Sequence, residues 1–337
     1  MKRALWLIGG LAIGATLLWY SLRSVSIFEV IELIKGAHPL YALLAVVFSL
    51  VFIVVKTQRW ALLLNRPSAL GFAALHAPVY AGSAANLVIS HSGELLRARM
   101  LSRDHGLPAT TTLGSIGLER LLDMLAMLIL LGFLFVAGGG RLMPALAGAV
   151  QVAGALTLLA ASGVLCIVLW PEYWMKVIDR VAQRVAPRYR EWINGHYRGL
   201  VNGLESVKSA HRVLLVVLLS LLQWAMIAAG IWCCMKALDV SAGPIAAVAV
   251  LVLLVVGLTL PTAPAYVGTT QVCFTVVLAV FGVDEDLAFA ASALYTACVV
   301  LPVFFIGVAV MLRYFGSNRL GGDAAPICEP GQKVLHP

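Results

Sequence analysis

Apolar stretches long enough to cross a bilayer follow one another along almost the whole chain: 4–20, 39–64, 68–90, 107–138, 144–170, 213–238, 244–283 and 287–312. A transmembrane helix takes about 20 apolar residues, so 337 residues hold up to eight spans by hydropathy with little left over. Charged residues make up only 12% of the chain, half of the roughly 25% usual in a soluble domain. That balance excludes a large extramembrane catalytic domain, a nucleic-acid-binding module and a secreted disulfide scaffold. The expected fold class is an all-α polytopic membrane protein with no nucleic-acid partner.

The net charge of +8 is therefore first a topology signal, since Lys and Arg accumulate in cytoplasmic loops and face anionic head groups there. Five cysteines (Cys166, Cys233, Cys234, Cys273 and Cys298) sit in apolar runs, and only Cys328 does not. With no C-x-x-C and no Cys/His ligand spacing, they read as small core residues, and no metal or cofactor is expected. Met1-Lys2-Arg3 before an apolar run resembles a signal peptide, but no small-x-small cleavage site precedes Ser21, and Trp19-Tyr20 looks like an interfacial belt. The segment 4–20 is expected to be an uncleaved first span.

Two apolar stretches are broken. Residues 68–90 are rich in Ala, Gly and Ser and carry His76, Pro78 and Asn86. Residues 244–283 run apolar for 40 residues, with Pro261, Pro264 and Gly268 at the centre. Each is either a pair of full spans or a re-entrant hairpin, since irregular backbone at membrane depth is tolerated only inside protein or beside a water-filled cavity. Charge counting favours hairpins. With six full spans and both termini inside, 19 of the 24 Lys and Arg fall on the inner side. A full crossing at 68–90 would instead put Arg97, Arg99 and Arg103 outside. The units 39–137 and 213–312 then enter the membrane from opposite sides, an inverted repeat of the kind transporters use. The motif A-P-x-Y-x-G recurs at 77–82 and 263–268, a match short enough to be coincidence in so Ala- and Gly-rich a chain. Pro302 marks an expected kink in the last span.

A single transmembrane domain over 1–315 is thus expected, interrupted by one polar loop at 171–212. There Met175, Ile178, Val181 and Val185 recur at helical spacing, with Arg180, Arg184, Arg188 and Arg190 interleaved. That suits an amphipathic helix on the inner leaflet; a solvated linker is the alternative. The Gly/Pro-rich tail 316–337 is expected to be disordered.

Glu119, Arg120 and Asp123 are the sharpest chemical feature. Each charge at a helix centre costs about 2.5–3.5 kcal/mol on insertion scales, and intramembrane ionisable groups mark functional sites by default. Glu119 and Asp123 share a face, and Arg120 can reach Asp123 at i,i+3. They form either an ion-pair clamp or a site in which Arg120 binds a lipid phosphate. The second cluster is Ser90-His91-Ser92-Gly93-Glu94 followed by Arg97. Gly93 permits a turn, and a helix starting there aims free N–H groups at an anionic head group, with His91 and Arg97 as cationic partners. Alternatively Glu94 simply pairs with Arg97. Pro261 to Gln271 is the matching element, where Tyr266, Thr269, Thr270 and Gln271 offer neutral hydrogen-bonding groups, unless it is only a helix break. Neither G-x-S-x-G nor H-E-x-x-H occurs, so catalysis by this chain is not expected.

With Arg59-Trp60, Asn86, Gly93-Glu94, Arg97, Glu119-Arg120-Leu121-Leu122-Asp123 and the run Pro261 to Thr269 in this order, the chain resembles the flippase-like family, also called the lysylphosphatidylglycerol synthase transmembrane-domain family, over about residues 5–315. It departs from the pattern at Ile89 and His91, where a proline and an arginine are usual, and at Ala265, where a glycine is. The resemblance implies a bacterial inner-membrane protein that moves or binds lipids: anionic, aminoacylated, polyprenyl-linked or hopanoid-type. The expected function is a lipid translocase or lipid-binding transporter; the alternative is a non-transporting subunit supporting a separate lipid-modifying enzyme.

Overall fold

The computed structural model describes residues 25–64, 70–89, 91–137, 170–185, 210–258 and 266–320, with scattered positions at 16, 19 and between 155 and 197. The expected spans 4–20 and 144–170, Pro261, Pro264, Arg188 and the tail 321–337 lie outside the described residues.

The described elements are all helical. A short helix α1 (Ile27–Lys35) leads into the long α2 (Pro39–Leu63); α3 (Phe72–Val88) and α4 (Ser92–His105) follow, then α5 (Ala109–Ala137). The amphipathic α6 (Pro171–Val185) precedes α7 (Ala210–Ala237), α8 (Pro244–Gly257), α9 (Thr269–Val280), α10 (Glu285–Tyr295) and α11 (Leu301–Leu320). Among the described residues four helical stretches are long and apolar enough to cross a membrane: Pro39–Leu63, Ala109–Ala137, Leu214–Ala237 and Glu285–Gly316. These are four of the six expected full spans. Their surfaces suit lipid. Leu40, Leu43, Val47, Val51 and Val54 recur every three or four residues of α2 and are all exposed, an apolar stripe pointing away from the other helices.

Each of the two broken stretches holds a pair of short helices. At about 1.5 Å per residue, the 17 and 14 residues of α3 and α4 reach about 26 and 21 Å, short of a hydrocarbon core of about 30 Å. α8 and α9, of 14 and 12 residues, are shorter still. In the first pair α3 ends at Ile89 and α4 starts after His91, where Ser92 Oγ donates to the carbonyls of Ala85 and Ile89 (2.9 and 2.7 Å). α3 and α4 then cross at two glycines: a Cβ on Gly93 would collide with the Gly82 carbonyl. In lipid such close approach of backbones replaces hydrophobic drive as the source of helix affinity. α11 crosses α3 in the same way, with Gly307 against the Tyr80 carbonyl.

α2 and α7 run antiparallel through the middle in the most extensive helix–helix interface, and α5 lies against both. The largest apolar core joins α7 to α10, through Ile231, Met235, Leu251, Phe274, Leu278 and Ala290. The kink expected at Pro302 takes the form of a π-helical turn at Thr296–Val300, where the Leu301 N–H reaches the Thr296 carbonyl. A proline offers no N–H to the carbonyl four residues back, and an inserted wide turn absorbs the mismatch. α11 runs to Leu320, past Gly316 where the tail was expected to begin.

Candidate functional site

Glu119, ten residues into α5, is buried and surrounded by cations from two other elements. Arg97 of α4 donates to its Oε2 (2.9 Å), and Arg59 and Lys56 of α2 approach its Oε1 at 3.4 and 3.6 Å. Arg59 also reaches Asp123 Oδ1 (2.7 Å) and Ser220 Oγ of α7 (3.1 Å), and Gln223 of α7 donates to the same carboxylate oxygen (3.4 Å). Arg97 lies over the Trp60 ring, 3.9 Å from its centroid, and the indole N–H donates to Ser115 Oγ (3.0 Å). Four helices thus converge on one desolvated network. Breaking a buried pair by removing one partner costs about 3–5 kcal/mol, so this network fixes how α2, α4, α5 and α7 sit.

A second ion pair is of another kind. Arg120 donates to Glu94 Oε1, yet the Arg120 side chain is 44% exposed. The pair faces the first hairpin tip. There the Gly93 N–H donates to Asn86 Oδ1 (2.7 Å), Asn86 Nδ2 stands 3.5 Å from Glu94 Oε1, and His91 Nδ1 stands 4.0 Å from that oxygen. The second broken stretch meets the same helix, with α8 packed against α5. His91 (φ 65°) and Tyr266 (φ 59°) are both non-glycine residues in left-handed conformation, a strain that gathers at binding sites and switches. Arg120 is the twelfth residue of α5, about 17 Å along the helix.

Several expected pairings are corrected. Arg120 pairs with Glu94, not with Asp123, which Arg59 takes instead; Glu94 and Arg97 do not pair, because Arg97 is drawn to the more deeply buried Glu119. The turn residue is His91, not Gly93, which is helical and needs its missing side chain for the Gly82 contact. His91 is open to solvent while Arg97 is buried, so the two do not flank one site. Gln271 is spent on structure, accepting from the Gly268 N–H (2.7 Å), and Thr270 Oγ1 donates to the Tyr266 carbonyl (3.1 Å). Gly268 has φ 86°, and Thr269 Oγ1 is buried without a hydrogen-bond partner. On α6, Arg180 and Arg184 are exposed, whereas Arg190 clamps Asp179 through two nitrogens (2.7 and 2.8 Å).

Lys56, Arg59, Ser220 and Gln223 were missed as site residues. Lys56 and Arg59 were visible as charges one turn apart near the end of an apolar run, which also reads as the inner boundary of a span. Ser220 and Gln223 carry no sequence signal that separates them from other polar residues in α7. Among the described residues no group of three His, Cys, Asp or Glu side chains could hold a metal ion.

Residues 7–307 match the family described as Lysylphosphatidylglycerol synthase TM region. No curated protein and no solved structure matches the chain.

Proposed function

This chain belongs to the lysylphosphatidylglycerol synthase TM region family, and we propose that it is a translocase that binds a polar or anionic lipid by its head group and moves it between the leaflets of the bacterial inner membrane. The observation that carries this reading is the Arg120–Glu94 ion pair beside the tip of the first broken helix, with the Arg120 side chain 44% exposed. Transporters built as inverted repeats bind at the midplane, where discontinuous helices meet. The hairpins α3–α4 and α8–α9, within units 39–137 and 213–312 entering from opposite sides, supply that arrangement, with both termini cytoplasmic. A guanidinium grips a phosphate through two parallel N–H groups, and the exposed flank of Arg120 leaves room for one. Glu119 and Asp123 anchor the helices that carry the site; Asn86 and Gly93 shape its rim.

Scrambling of a fluorescent lipid in proteoliposomes of the purified chain tests the proposal. Wild type is expected to scramble, and Arg120→Lys, which keeps charge but loses the planar fork, is expected to melt near wild type and scramble far more slowly. Full scrambling by Arg120→Lys would remove Arg120 from the site. Lipid retention without scrambling would favour the alternative, a subunit that supports a lipid-modifying enzyme.

A further inference from the structure

One carboxylate oxygen of Glu94 is approached by two basic side chains of different character. Arg120 from α5 holds Oε1, while the imidazole of His91, across the hairpin tip, waits 4.0 Å from the same atom. The other oxygen, Oε2, is buried with no hydrogen-bond partner. Arg120 and Glu94 together are neutral. A phosphodiester arriving at Arg120 leaves the three groups with a net negative charge, which a nearby positive charge would offset. His91 is the nearest group able to acquire the missing positive charge, because imidazole changes charge between about pH 5 and 8.

We propose that Glu94 is a counterion shared by Arg120 and His91: when an anionic lipid head group takes Arg120, Glu94 passes to protonated His91, and binding draws one proton from water onto the imidazole. The inference rests on Arg120 being the head-group site, and it adds the lipid charge class and a pH dependence to that site. The groups facing His91 and Glu94 are consistent with it. α3 contributes only the uncharged Asn86, and the second hairpin contributes the Tyr266 phenol. α5 contributes Arg120, behind which Glu119 and Asp123 are already claimed by Lys56, Arg59 and Arg97. Those three cations against two carboxylates leave one positive charge behind the site, so an anionic lipid still binds, more weakly, when His91 is neutral.

The test uses the full chain in phosphatidylcholine nanodiscs, titrated with phosphatidylglycerol bearing a fluorescent acyl chain. Because binding is linked to uptake of one proton, wild type is expected to bind about fivefold or more tighter at about pH 5.5 than at about pH 7.5. His91→Asn, which suits the left-handed backbone, is expected to bind at the weaker level at both pH values, and His91→Arg at the tighter level at both. A flat wild-type profile, or a pH response that survives in His91→Asn, overturns the shared counterion while leaving Arg120-dependent binding intact. Arg120→Lys binding as tightly as wild type overturns the head-group site itself. Unlabelled phosphatidylglycerol is expected to displace the probe where inorganic phosphate at equal concentration does not; displacement by phosphate would overturn a lipid as the source of the anion. His91 is 86% exposed, so its variants remain informative even if an Arg120 change unfolds the chain.

Discussion

Gly93 and Glu119 are the two residues at which small changes are expected to do most harm. A methyl on Gly93 meets the Gly82 backbone, which cannot rotate away as a side chain could, so Gly93→Ala is expected to destabilise by about 1–3 kcal/mol or more. Gly132, on the exposed side of α5 with nothing within 4 Å of a built Cβ, is the control: Gly132→Ala is expected to stabilise by up to about 1 kcal/mol through helix propensity. Melting temperatures in detergent separate the two, and equal shifts would mean that the α3–α4 crossing is looser than described. Glu119→Gln leaves Arg97, Arg59 and Lys56 facing an amide and is expected to cost about 3–5 kcal/mol. Arg120→Lys, at the half-exposed pair, is expected to cost much less. If Glu119→Gln melts like wild type, the buried network is not what holds α2, α4 and α5 together.

At the scale of elements, α1 is seated on the main apolar core through Val30, Leu33 and Ile34 and is tied at its exposed start by polar contacts. α1 docks on α10, where the Ser26 N–H donates to Asp286 Oδ1 (2.8 Å). The Glu29 carboxyl beside Asp286 is raised above its usual value, first by a shared hydrogen bond and then by repulsion between the two acids. A carboxyl raised on folding favours the folded state in acid. Its contribution is fully present below the unfolded value of about 4.5 and is lost as pH rises through the folded one. The melting temperature of Glu29→Gln relative to wild type is therefore expected to rise with pH across that window; a constant difference would show that the two acids do not interact. For α6, a basic residue near an anionic surface contributes about 1 kcal/mol. Arg190 is committed to Asp179, so Arg180 and Arg184 are the pair to neutralise. Their double Gln variant is expected to expose α6 to proteinase K in membranes rich in anionic lipid, and unchanged cleavage would count against surface binding.

For the whole molecule, the hairpins make a topological prediction. Single cysteines replacing Ser92 and Ser102 in a cysteine-free background are expected to be protected from an impermeant label applied outside. A cysteine replacing Asp284, at the start of α10, is expected to react. Labelling at Ser102 from outside would mean that the first broken segment crosses fully, and the inverted repeat would be lost. Four apolar helices long enough to span, the two breaks and an amphipathic segment were legible in the chain, and so were Arg120 and Glu94 as charges in or beside apolar segments. Their pairing with each other was not. They are 26 residues apart on different helices, and sequence spacing favours Arg120 with Asp123 one turn on.

What the sequence by itself determined follows from local requirements. A bilayer demands about 20 apolar residues per crossing, and prolines and glycines interrupt helices where they stand, so spans and breaks are written in short windows. Only the tertiary structure decided the partners. In a desolvated interior a charge pairs with whichever opposite charge lies at the same depth, and depth is set by helix crossings such as Gly82 on Gly93 and Gly307 on Tyr80. Those crossings carry Arg97 to Glu119 and bring Arg59, which reads in sequence as the end of a span, into the centre of the fold. They also leave Arg120, alone among these arginines, with a face open to a ligand.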